Sequence, residues 1–156
     1  MKLWKALEND LIQFVVSDHS PAPLELKAID SGSFKKAWGG ISSLQLGLRI
    51  MWTLAERNKM SLPKVAQLMS ENVARFLDLD NRKGKIKIGF DADLVVWDPE
   101  TESVVESEKL FHKHRINPYE GHTLKGEIIA TFVNGIKVYN KGEFDNLHSG
   151  NLILKE

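Results

Sequence analysis

The chain reads as an α/β protein, helical up to about residue 80 and β-rich beyond it. Three observations predict this. A short, nearly continuous apolar run at residues 11–17 lies between a helical pattern and a polar cluster, the order in which a helix, a buried parallel strand and a loop follow one another in α/β folds. Two longer segments repeat apolar residues at helical spacing. Near the end, Asn134-Gly135 separates two apolar runs, the strongest short-range hairpin signal.

Taken in order, Leu3, Trp4 and Leu7 share one helical face, and Asn9 is a natural stop because Asn tolerates the left-handed conformation. Residues 11–17 then predict a strand buried on both faces, and Ser17-Asp18-His19-Ser20-Pro21 a polar loop after it. Residues 31–40 read as loop, with glycines at 32, 39 and 40. Ser42 or Ser43 can cap a helix that runs to about Asn58 with Leu44, Leu48, Met51, Trp52 and Ala55 on one side. Ser61 caps the next, with Pro63 in its first turn; Val65, Leu68, Met69, Val73, Phe76 and Leu77 give it an apolar face with a break near Asn72. Beyond Leu79, residues 85–88 alternate, residues 89–91 turn, and residues 92–97 form a strand, with another expected at 101–106. Residues 127–133 and 136–139 form the hairpin, and the tail from Gly142 is expected to be loosely held. The predicted organisation is residues 1–80 for the helical part and 81–156 for the β-rich part and tail.

Composition narrows the functional classes. Lys and Arg number 21 and so do Asp and Glu; without a concentrated basic stripe, no nucleic-acid partner is expected. The absence of cysteine rules out a disulfide framework and a thiolate zinc site. The N-terminal residues lack the apolar core of a signal peptide, and no apolar run is long enough to span a bilayer, so no membrane partner is expected. A cytoplasmic setting follows, with a peroxisome as the alternative; Glu156 ends the chain without a Ser-Lys-Leu signal.

Asp18 is the principal candidate for chemistry. A carboxylate at the C-terminal end of a buried parallel strand sits where barrel enzymes keep their catalytic groups, able to ligate a metal or take a proton from an attacking water; it could equally cap the loop before Ser20-Pro21. His19 is a ligand or orienting group on one reading and a loop residue making one hydrogen bond on the other. Ser20 could contact substrate but has no base beside it to make it a nucleophile. His112 and His114 have the spacing of a metal pair on a strand, but the interleaved Lys113 and Arg115 disfavour a cation, and a packed or solvated loop is the expectation. Asp91 and Asp93 read as turn residues rather than paired catalytic carboxylates. His122 and His148 are isolated.

The segments Val15-Val16-Ser17-Asp18-His19-Ser20-Pro21 and Trp38-Gly39-Gly40-Ile41-Ser42-Ser43-Leu44-Gln45 together resemble allantoinases, within the cyclic amidohydrolases. Further matches follow in the right order: Lys83-Gly84-Lys85-Ile86, Gly89-Phe90-Asp91-Ala92-Asp93-Leu94, Pro118-Tyr119 with Gly121, and residues 131–135. Dihydroorotases share a similar Asp-His segment, usually with Ala before the Pro. Ala22 stands where many allantoinases have cysteine.

The resemblance implies the C-terminal part of a TIM-like (β/α)8 metal-dependent hydrolase barrel, plus segments of a small β-sandwich. It implies zinc as cofactor, two ions in the complete enzyme, and a small-molecule cyclic ureide as substrate, allantoin opening to allantoate. Asp18 would be both a metal ligand and the catalytic proton carrier, and Ser20, Gly39 and Gly40 would bind substrate. The other metal ligands of the family precede the last barrel strand, and no residue before Leu11 can stand for them. The chain alone is therefore expected to be inactive, completed by the N-terminal part of a barrel or by a homo-oligomeric partner. A non-catalytic binding or assembly module related to dihydropyrimidinase is the alternative.

Overall fold

A computed structural model describes residues 2–145 and 150–154. His148 and Glu156, and with them part of the tail beyond Gly142, lie outside these. Among the described residues the chain is α/β, four α-helices followed by one antiparallel sheet of four strands in the order β1-β2-β3-β4. Helix α1 is Lys2–Glu8, α2 Gly47–Arg57, α3 Leu62–Ala66 and α4 Asn72–Phe76; the strands are β1 Leu94–Val104, β2 Thr123–Val133, β3 Ile136–Asn140 and β4 Glu143–Phe144.

The helical expectations hold with informative differences. Ser61 caps α3 as expected, its hydroxyl accepting the Lys64 N–H. Neither Ser42 nor Ser43 caps α2, which is entered instead through a 3-10 turn at Leu44–Leu46. Both hydroxyls are buried and spent on distant carbonyls, Ser43 donating to Ser17 (2.8 Å) and Ser42 to His114 (3.2 Å). The break expected near Asn72 is a π-helical turn, Gln67–Glu71, joining α3 to α4; such a turn widens the helix by one residue and leaves the Asn72 side chain to donate to the Gln13 carbonyl at 2.5 Å.

The predicted buried strand at residues 11–17 does not form. Those residues join no sheet, and Leu11 and Val16 lie exposed. Only a single parallel bridge, His19 to Ile41, marks the end of the run. A parallel strand needs neighbours on its edges, and among the described residues none lies alongside. Residues 85–88 likewise form no strand, and Ile86 and Ile88 are fully exposed.

The sheet grows from local signals. Asn134 (φ 50°) and Gly135 (φ 81°) both take positive φ, the conformation of the tight turn joining β2 to β3. β1 is a single strand through residue 104, absorbing the separate strand expected at 101–106. Its pairing with β2 slips between Asp98 and Glu102, where Pro99 has no N–H to donate and the Asp98 carboxylate accepts from Glu100 N–H and the Thr101 hydroxyl.

One core packs Leu7, Met51, Trp52, Ala55, Met60, Val65 and Leu68. A second joins Leu46 to Val105, Leu110 and Leu124. Helix α2 links them: Arg49 donates to the carbonyls of Ser103 and Leu124, Trp52 Nε1 donates to the Pro99 carbonyl, and the Trp52 and Trp97 rings meet edge to face at 5.8 Å.

Candidate active site

The site is built at the seam between residues 17–20 and residues 38–46, upstream of α2. Asp18 has φ 45°, a conformation most non-glycine residues avoid but Asp tolerates. Its side chain is exposed and takes part in no hydrogen bond or ion pair among the described residues, so the loop-capping reading has no bond behind it.

His19 is locked by the opposite segment. Its Nδ1 accepts the N–H of Ser43 (3.0 Å) and of Leu44 (3.1 Å), so its proton sits on Nε2. His112 lies against it, ring centroids 4.8 Å apart, and its Nε2 accepts the Gln45 N–H at 3.3 Å. Gln45 returns the contact, its side-chain oxygen accepting from Phe111 N–H. His112 Nδ1 is buried without a partner among the described residues. Burial first, and the neighbouring His19 second, hold the His112 imidazole below the usual histidine range. His112 is therefore a packing residue for the 43–46 turn, in line with the packed-loop expectation. His114 contributes its carbonyl to Ser42.

Ser20 pairs by its backbone, its N–H donating to the Ile41 carbonyl at 3.0 Å. Gly40 (φ 80°) presses against it so closely that an added Cβ would fall 2.5 Å from the Ser20 Cβ, so only glycine fits both the φ and the space. Gly39 beside it faces open space. The Asp18–Ser20 segment and the Gly39–Gly40 segment, distant in sequence, thus meet where Gly40 packs on Ser20 and His19 bridges to Ile41. Lys27 is a participant the sequence reading missed: its ammonium donates to the carbonyls of Trp38 (3.3 Å), Gly39 (3.2 Å) and Gly40 (2.5 Å). Only three-dimensional proximity reveals it, because no motif places a cation 11 to 13 residues before three carbonyls.

Asp91 and Asp93 are structural, as the turn reading expected. Asp91 pairs with Arg82 and Lys83, and Asp93 with Lys83 and the Asn134 N–H. The Lys83 ammonium holds both carboxyls below the usual range. Among the described residues no three His, Asp or Glu side chains converge to hold a metal ion. Asp18 by itself cannot make a zinc site. No helix among the described residues is long and apolar enough to cross a membrane.

The chain is 41% identical to the allantoinase of Arabidopsis thaliana over 155 residues, which are 98% of this chain and 30% of that protein. It is 38% identical to the probable allantoinase 2 of Dictyostelium discoideum over 146 residues, 90% of this chain and 29% of that one. The L-hydantoinase (dihydropyrimidinase) of Arthrobacter aurescens has a solved structure that matches with a TM-score of 0.85 at 31% identity, over 92% of this chain and 32% of that one. The chain thus spans about a third or less of the relatives it matches. Matched over residues 1–138, it belongs to the Amidohydrolase family.

Proposed function

We propose that this chain supplies the Asp18 carboxylate and a substrate-holding loop to the active site of a zinc-dependent cyclic-amide hydrolase acting on allantoin. The observation that carries this reading is the exposed Asp18 carboxylate, unpartnered among the described residues and two residues before the Ser20 on which Gly40 packs, in a chain 41% identical to an allantoinase over nearly its whole length. In this reading residues 1–80 hold the last strand and closing helices of a (β/α)8 barrel, and residues 81–156 contribute strands to a small β-sandwich. The run 11–17 becomes a strand once the preceding barrel strands lie beside it.

Asp18 takes a proton from the attacking water as oxygen adds to the ring carbonyl, and returns it to the departing ring nitrogen as the C–N bond breaks. The balance is one water consumed and one ring C–N bond broken: the water's oxygen and one hydrogen end in a carboxylic acid, which releases that proton to solvent to become the carboxylate, and the other hydrogen ends on the freed ring nitrogen. Ser20, Gly39 and Gly40 hold the ureide. Zinc would polarise the ring carbonyl, but the described residues lack a ligand set for it, so its other ligands must come from other strands.

The test joins residues 1–156 to the matching remainder of the Arabidopsis allantoinase and measures allantoin hydrolysis with Asp18 and with Asp18→Asn. The substitution is expected to lower kcat by about 10³-fold, the scale of a lost acid–base group, with the fold unchanged by circular dichroism. The purified 156-residue chain alone is expected to show no turnover and no stoichiometric zinc. An Asp18→Asn chimaera as active as its parent, or two tightly held zinc ions in the lone chain, would reject the reading.

A further inference from the structure

We propose that Lys27 is a positioning residue that sets the Gly39–Gly40 peptides for donation to a carbonyl oxygen of a cyclic ureide; this rests on the hydrolase reading above. Three consecutive main-chain carbonyls converge on its ammonium, which has three N–H groups to donate. No peptide bond among the described residues is cis. In a trans peptide the C=O of one residue and the N–H of the next point in opposite directions. Carbonyls of Trp38 and Gly39 turned toward Lys27 therefore turn the N–H groups of Gly39 and Gly40 away from it. Neither N–H meets an acceptor among the described residues, and open space lies beside Gly39.

The loop is held at both ends. Trp38 N–H donates to the Leu26 carbonyl at 2.7 Å, and the Ile41 carbonyl accepts from Ser20 N–H. Neither bond fixes the rotation of the peptides between them. Two glycines in succession would otherwise sample many orientations, and ion–dipole bonds to a cation, stronger than neutral hydrogen bonds, select one. The result is a pair of main-chain donors preset toward ligand, beside the Asp18 seam, with the cation itself on the far side of the peptides. Such a pair recognises a ring carbonyl and costs no reorganisation on binding.

The experiment uses the labelled 156-residue chain as wild type, Lys27→Met and Lys27→Arg, followed by amide NMR and titrated with hydantoin, a five-membered cyclic ureide. Lys27→Met keeps the chain length of the side chain without its donors. It is expected to displace the Gly39 and Gly40 resonances, to speed their hydrogen exchange about ten-fold and to weaken hydantoin-induced shifts at these amides by about as much. Exchange at Ala55 and Leu68 should not change, and Lys27→Arg should move the loop back toward wild type. Loop amides and hydantoin response unaltered in Lys27→Met, or wild-type Gly39 and Gly40 untouched by hydantoin, would overturn the assignment. Loss of the Ala55 and Leu68 protection along with the loop would also overturn it, by making Lys27 a general stability residue. Asp18→Asn turnover does not enter these measurements, so the hydrolase reading fails or stands separately.

Discussion

At the scale of single residues, the 43–46 turn depends on the His112 imidazole as a hydrogen-bond acceptor. His112 Nε2 accepts the Gln45 N–H; a proton on that nitrogen would replace the acceptor by a donor. For His112 the direction is clear. Its folded pKa lies below the ordinary value because of burial and then His19, so the unfolded chain binds more protons between the two values. Its contribution to stability is then fully present above the unfolded pKa of about 6.5 and is lost as pH falls through the folded value. His112→Gln keeps an acceptor and removes the titration. In urea titrations at about pH 7.5 and about pH 5, the wild type should lose more midpoint than His112→Gln does between the two conditions. Equal losses would remove His112 as the titrating group.

At the scale of elements, what was legible in the sequence is what short-range chemistry determines. Ser61 and Pro63 open α3, and Asn134-Gly135 turns β2 into β3, because a cap or a tight turn is decided within four residues. The π-helical turn was visible only as an irregularity near Asn72; its shape depends on the Asn72 bond to Gln13, 59 residues away. Ser42 and Ser43 look like caps in sequence and are not, because the carbonyls of Ser17 and His114 compete for their hydroxyls. The same limit applies to the site: Asp18 could be singled out by its position in a motif, whereas the Lys27 cradle and the His19–His112 contact are products of tertiary approach. Within the π-helical turn, Leu68 is fully buried in the core with Ala55 and Val65, while Leu62 at the start of α3 is 38% exposed. Leu68→Ala should therefore cost about 3 kcal/mol by the cavity it leaves, and Leu62→Ala less than about 1 kcal/mol. Chemical denaturation distinguishes them, and comparable losses at the two positions would mean the core does not centre on this turn.

At the scale of the whole molecule, the strand expected at residues 11–17 is the most informative failure of the sequence reading. Its pattern describes a segment buried on both faces, yet Leu11 is 80% and Val16 59% exposed. A parallel strand is defined by its neighbours, and on the proposed reading this chain, which spans about 30% of the length of the allantoinases it resembles, lacks them. The backbone bonds of the run say the same thing. Leu11 and Ile12 N–H close the end of α1 on the Ala6 carbonyl, and Val15 N–H reaches the Leu68 carbonyl, but the N–H groups of Gln13, Phe14, Val16 and Ser17 have no backbone partner among the described residues. Unpaired backbone exchanges its amide hydrogens nearly as fast as unfolded chain, whereas ladder and helix amides wait for local opening. In the 156-residue chain, the amides of residues 13, 14, 16 and 17 should exchange at least about 10²-fold faster than those of α2 and β2. In the chimaera with the remainder of an allantoinase they should become as protected as α2, because adjoining strands then supply the missing ladder. Fast exchange persisting in a chimaera whose α2 is fully protected would show that residues 11–17 are not a barrel strand, and would detach Asp18 from the strand end on which its proposed chemistry depends.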